Sequence, residues 1–236
     1  MSRLALIGGT SLLEAKHFQT AKQHQISTPH GVVTLLEQDE IFFLQRHGLE
    51  NYTPPHRINH FAHMAALKEI GVDRILAIGS VGSLRDDLPP GTLVLPDDFY
   101  APQVNLSFFT DQRGHIAPCF DASWRQKILG LWKTTPLKEP VNGGIYWQTT
   151  GPRFETPAEI RFHQGRVDLV GMTVASECIL AAELKLPYAA LCVVDNFANG
   201  LVDTPLSFDA FKQQVRANEA MVLNVVETLL TQLDRE

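Results

Sequence analysis

Cysteine is scarce in this chain of 236 residues: Cys119, Cys178 and Cys192 are odd in number and show no paired ligand spacing. Such a set supports neither a disulfide framework nor a zinc site, so no metal is expected and a reducing compartment fits. Long apolar runs are missing, with nothing near the roughly 20 residues that a membrane-spanning helix needs. The N-terminal Met1-Ser2-Arg3-Leu4-Ala5-Leu6-Ile7 meets Gly8-Gly9 at once, without the longer apolar segment and cleavage site of a secretory signal. A cytoplasmic location without a membrane partner is the expectation. Basic clusters are absent too, and 20 Lys and Arg against 26 Asp and Glu leave a net charge of −6. Nucleic acid is therefore not an expected partner, because affinity for its backbone comes from concentrated cations. Neither the three-glycine dinucleotide pattern nor the Walker lysine motif occurs, so no nucleotide cofactor is expected.

What is present is an ordinary globular composition, 44% hydrophobic and 19% charged. Leu4-Ala5-Leu6-Ile7 is a short continuous apolar run closed by glycines, the pattern of a strand buried on both faces. Val32 to Leu36 and Ile41 to Leu44 flank the polar turn Glu37-Gln38-Asp39-Glu40 and read as a hairpin or meander. Asn59 to Ile70 carries helical spacing and stops at Gly71. Further strands are expected at Arg74 to Ile78, Thr92 to Leu95, Gly143 to Thr149, Val167 to Met172 and Tyr188 to Val194. Helices are expected at Trp124 to Trp132, Pro157 to Gln164 and Ser176 to Leu184, with a long amphipathic one from Ser207 to Leu233. Asp97 to Phe120 lacks periodicity and reads as a long loop with short elements, a common place for function. The alternation predicts one α/β domain over residues 1–236, a mixed central β-sheet flanked by helices.

Gly8-Gly9-Thr10 directly after a buried strand lets backbone N–H groups approach an oxyanion, with a hydroxyl as a further donor. Alone, a glycine turn after a strand is more often only a turn. Arg46-His47 follows another strand and supplies a guanidinium fork beside an imidazole. Gly79-Ser80-Val81-Gly82-Ser83 reads as a second glycine turn with hydroxyls, and Gly171-Met172-Thr173 ends a third strand similarly. In an open α/β sheet such strand ends converge on one ligand site.

Together with Gly82-Ser83-Leu84-Arg85, Pro90-Gly91 and Gly151-Pro152-Arg153-Phe154, these motifs stand in the order of the purine nucleoside phosphorylase and methylthioadenosine phosphorylase family, which the chain resembles over nearly its whole length. The resemblance implies phosphorolysis of a purine nucleoside, inorganic phosphate as co-substrate, no cofactor, and a homotrimer. It implies a phosphate site of Thr10, Arg46, His47, Ser80 and Thr173, with His47 and Asn196 as the catalytic residues. Phe154 would pack on the base, Met172 against the ribose, and His115 would be lent across a subunit interface.

The departing purine accumulates charge and must be protonated or hydrogen-bonded at N7. The resemblance aligns Asn196 with that contact, and an amide can accept from N7–H while donating to a 6-oxo group. A slip of one residue would put Asp195 there instead. Glu155 stands where 6-oxopurine enzymes of the family carry a glutamate for N1–H, and Ala198 replaces an acidic residue of the adenine-selective pattern. By the resemblance, Leu206 and Phe208 are the closest matches to the family's 5′ position at the start of the C-terminal helix, where an apolar wall suits a methylthio group. The implied substrate is S-methyl-5′-thioinosine, cleaved to hypoxanthine and 5-methylthioribose 1-phosphate. S-methyl-5′-thioadenosine, inosine or guanosine are the nearest alternatives. Val174-Ala175-Ser176-Glu177 departs from the family, which often has Pro before the Glu. Two readings from other classes are a nucleoside-binding protein without turnover and a nucleosidase that uses water.

Overall fold

The computed structural model describes residues 3–9, 12, 18 and 20–233. Eleven strands are described, in chain order β1 (Leu4–Gly8), β2 (Lys22–Thr28), β3 (Gly31–Gln38), β4 (Ile41–Gln45), β5 (Arg74–Ser83), β6 (Leu93–Leu95), β7 (Asp98–Tyr100), β8 (Val141–Asn142), β9 (Ile145–Gln148), β10 (Leu169–Gly171) and β11 (Tyr188–Phe197). The described α-helices are α1 (His60–Glu69), α2 (Ala122–Trp132), α3 (Pro157–His163), α4 (Val174–Glu183) and α5 (Phe208–Leu233). All described strands join one mixed sheet, the expected α/β architecture.

Side chains on β1 alternate between two buried faces. Ala5 and Ile7 pack with Met64 and Leu67 of α1 and Leu180 of α4; Leu4 and Leu6 pack with Trp124 and Ile128 of α2 and Val225 and Leu229 of α5. A strand with helices on both sides has no polar face, which is why its sequence is continuously apolar. β11 behaves in the same way, with Tyr188, Ala190, Cys192 and Val194 on one side and Ala189, Leu191 and Val193 on the other.

Parallel pairing of β4, β1, β5 and β11 brings four carboxyl ends to one edge. β5 is longer than its apolar core suggests. Its first part lies between β1 and β11, and its last residues, Gly82 and Ser83, pair with antiparallel β10. Gly79 to Ser83, expected as a turn, is therefore strand: β11 and β10 supply ladder partners along it. β10 runs back along β5 and delivers Thr173 to the same edge. β11 also overruns its expected end at Val194 and continues through a register shift between Val194 and Asn196. A bulge of this kind re-aims successive side chains. The sequence reading missed β2, a polar strand with exposed positions whose one partner among the described strands is β3. No described helix is long and apolar enough to cross a membrane.

Candidate active site

The converging strand ends open on a cavity of about 960 Å³. Of the residues singled out from the sequence, Arg46, His47, Ser80, Phe154, Glu155, Met172, Thr173, Asp195, Asn196, Leu206 and Phe208 all line it. Gly9 lines it as well, while Thr10 lies outside the described residues. His115 does not line it. Its loop is tied to the far end of α4, where Ser107 Oγ and Phe108 N donate to Glu183 at 2.5 and 2.7 Å. The ten residues of α4 separate that end from Thr173, by about 15 Å at the helical rise.

Arg46 is buried, and its guanidinium is largely spoken for. Nε and Nη2 donate to the two oxygens of Glu177 at 2.5 and 3.0 Å, and Nη1 donates to the carbonyl of Ile78 at 2.8 Å. Burial alone would lower the guanidinium pKa, but the Glu177 carboxylate outweighs it and keeps Arg46 charged. Glu177 is fully buried; burial raises its pKa, and the charge and hydrogen bonds of Arg46 bring it below the ordinary value. Tyr188 Oη also donates to Glu177, at 2.7 Å. Of the five guanidinium N–H groups, these bonds leave one on each terminal nitrogen for a ligand. Glu177 is the partner that sequence reasoning missed, although one acid within Val174-Ala175-Ser176-Glu177-Cys178-Ile179-Leu180 was a visible signal.

His47 donates through Nδ1 to the carbonyl of Thr53 at 2.8 Å, which makes Nε2 the acceptor of the neutral ring. Burial chiefly, with Arg46 adding to it, lowers the His47 pKa. The ring stacks on Tyr52 with centroids 5.2 Å apart.

On the other side of the cavity Glu155 is buried and accepts from Thr149 Oγ1 at 2.7 Å, and burial raises its pKa. Asp195 and Asn196 differ sharply in what they are free to do. One carboxylate oxygen of Asp195 accepts from Ser80 Oγ and the other from Asn218 Nδ2 of α5, at 2.7 Å for the latter. Burial raises the Asp195 pKa. Asn196 donates from Nδ2 to the carbonyl of Phe197 at 2.7 Å, and its Oδ1 has no protein partner among the described residues. Phe154 meets Phe211 edge-on at 5.7 Å, and Phe208 stacks on Phe211 at 6.2 Å, forming an aromatic wall with α5. Among the described residues there is no group of three or more His, Cys, Asp or Glu that could hold a metal.

Behind Arg46 lie two histidines that the sequence did not flag. His60 and His63 on α1 are held near pKa 4 by burial, and among the described residues Nδ1 of each has no partner. In the unfolded chain each titrates near about 6.5. Protons thus bind the unfolded state first, so stability is complete above about pH 6.5 and is lost as pH falls toward 4, on the order of 2 kcal/mol for each ring by pH 5. The melting temperature is expected to drop steadily between pH 7 and 5, and His63→Gln should flatten that slope. A wild-type melting temperature constant over this range would contradict the assignment.

The profile described as the phosphorylase superfamily matches residues 3–231, and the chain belongs to that superfamily. A relative from Archaeoglobus fulgidus, named "Probable 6-oxopurine nucleoside phosphorylase", is 34% identical over 95% of this chain and 94% of its own length. One from Methanocaldococcus jannaschii, named "Probable S-methyl-5'-thioinosine phosphorylase", is 34% identical over 96% of this chain and 91% of its own. The same fold is seen in methylthioadenosine phosphorylase from Schistosoma mansoni in complex with adenine, with a TM-score of 0.85 at 24% identity, covering 100% of this chain and 93% of that one.

Proposed function

We propose that this chain is a pentosyltransferase that cleaves a 6-oxopurine nucleoside with inorganic phosphate and without a cofactor, and that S-methyl-5′-thioinosine is its substrate. The observation that carries this reading is the pairing, in one cavity, of a buried Glu155 with an Asn196 whose Oδ1 is unpartnered among the described residues, together with Arg46, His47 and Thr173. A phosphate oxygen adds to C1′ as the C1′–N9 bond breaks, and the electron pair left on the base is neutralised by a proton that solvent supplies at N7, so the purine departs in its neutral N7–H form. Because phosphate is itself the nucleophile, the protein contributes positioning and electrostatics. Neutral His47 accepts a phosphate proton at Nε2, and the remaining N–H groups of Arg46 meet the anion. Glu155 accepts N1–H, Asn196 Oδ1 accepts N7–H, and Asn196 Nδ2 turns from the Phe197 carbonyl to O6.

Asp195 is not the N7 contact in this reading, since Ser80 and Asn218 occupy both of its oxygens. The 5′ group meets Leu206, Phe208, Phe211 and Val215, and burying a methylthio group against such a wall contributes about 1 to 2 kcal/mol. The unit is a cytoplasmic homotrimer in which His115 serves a neighbouring site, a reading supported by its distance from the cavity of its own chain.

Initial rates with phosphate and each of methylthioinosine, methylthioadenosine and inosine test the reading. Methylthioinosine is expected to be fastest by kcat/KM. Preference for methylthioadenosine would overturn the Asn196 assignment, preference for inosine would overturn the 5′ assignment, and cleavage without phosphate would overturn the reaction class.

A further inference from the structure

Thr173 is the residue that opens α4, yet its side chain makes no cap bond. A threonine there ordinarily accepts from the N–H groups of the first turn. In this chain the N3 donor, the N–H of Ser176, goes to β9 instead, as do those of Thr173 and Val174 before it. The backbone N–H groups of Thr173 and Val174 both donate to Tyr146 Oη at 3.3 Å, and that of Ser176 donates to Gln148 Oε1 at 3.0 Å. Gln148 Nε2 in turn donates to Ser176 Oγ at 2.5 Å.

Tyr146 and Gln148 are two apart on one strand, so they share a face of the sheet, and both are buried. The approach is close enough that a β-carbon on Gly171 would collide with Tyr146 Oη. We infer that Tyr146 and Gln148 are positioning residues that cap α4 from β9 and so leave the Thr173 hydroxyl uncommitted for phosphate. Thr173 Oγ1 makes no hydrogen bond among the described residues, and its residue lines the cavity. The same cap sets the height of α4, and with it Glu177, which grips Arg46 one turn further on. Both effects fall on the phosphate side of the cavity and not on Glu155 or Asn196. The inference rests on the proposed phosphate role of Thr173.

Phosphate binding by calorimetry and full kinetics on the whole protein test it, with Tyr146→Phe, Gln148→Leu and Ser176→Ala. Tyr146→Phe and Gln148→Leu are each expected to weaken phosphate binding and raise the KM for phosphate by about tenfold. The KM for nucleoside at saturating phosphate should stay within about twofold, the split expected of a contact with one substrate only. Ser176→Ala keeps its backbone bond to Gln148 and should fall well short of Gln148→Leu. If Gln148→Leu does not fold, Tyr146→Phe, which keeps the ring volume, decides alone. Equal changes in both KM values, or a lowered melting temperature with both unchanged, would overturn the inference. A wild-type protein that binds no phosphate would instead overturn the reading on which it rests.

Discussion

Glu177→Ala is expected to be the most damaging single change in this protein, lowering stability by about 3 to 5 kcal/mol because it strands the Arg46 charge in the interior. Both partners are buried, Arg46 at 3% exposure and Glu177 at 0%. Against the 5 to 15 kcal/mol or so that holds a typical domain together, that loss should lower the melting temperature by about 6 to 20 °C for a chain of this size. Removing the pair together separates stability from function. Arg46→Met with Glu177→Leu substitutes apolar packing for two desolvated charges and should recover much of the lost stability. It should not recover phosphorolysis, because the Arg46 guanidinium proposed to meet the phosphate would be gone. Thermal melting and phosphate-dependent rates on both proteins check this, and a double variant as active as wild type would remove Arg46 from the phosphate site.

The second large effect separates two adjacent residues. Asn196→Ala is expected to lower kcat/KM by roughly 100- to 1,000-fold, the usual loss when a preorganised group at a developing charge is removed, with little change in melting temperature. Asp195→Ala should do the reverse. Its carboxylate joins Ser80 of β5 to Asn218 of α5, and stranding the buried Asn218 amide costs about 1 to 3 kcal/mol, while the exposed Ser80 hydroxyl can turn to water. Stability should fall first, and activity only as far as α5 loosens over the 5′ wall. The opposite assignment, with rate lost in Asp195→Ala and retained in Asn196→Ala, would place Asp195 at N7.

These two residues mark where sequence reading stops. As neighbours in Asp195-Asn196-Phe197 they are equivalent polar residues after an apolar run, and a shift of one position exchanges their roles. The register shift in β11 between Val194 and Asn196, with Asn218 arriving from a distant helix, is what sends one toward Ser80 and leaves the other with an open acceptor. Ser80 was expected to offer its hydroxyl to phosphate, and in the fold it donates that proton to Asp195.

Most of the framework was legible. Leu4 to Ile7, Arg74 to Ile78 and Tyr188 to Val194 read as buried strands because helices cover both faces of the sheet, leaving no room for a polar alternation. Lys22 to Thr28 gave no such signal, since its side chains alternate toward solvent on the sheet's outer strand. His60 and His63 were equally silent, because a histidine in a helix looks the same whether it is solvated or driven to a pKa near 4 by burial.

By itself the sequence determined the class of fold, through its alternating strands and helices, and a set of candidate residues at strand ends, because glycines and polar residues that interrupt apolar runs must lie where strands stop. Only the tertiary structure decided which of those groups are free to meet a ligand. Hydrogen-bond partners such as Glu177 for Arg46, Asn218 for Asp195 and Gln148 for Ser176 come from segments distant in the chain, and a local pattern carries no record of what will be folded against it.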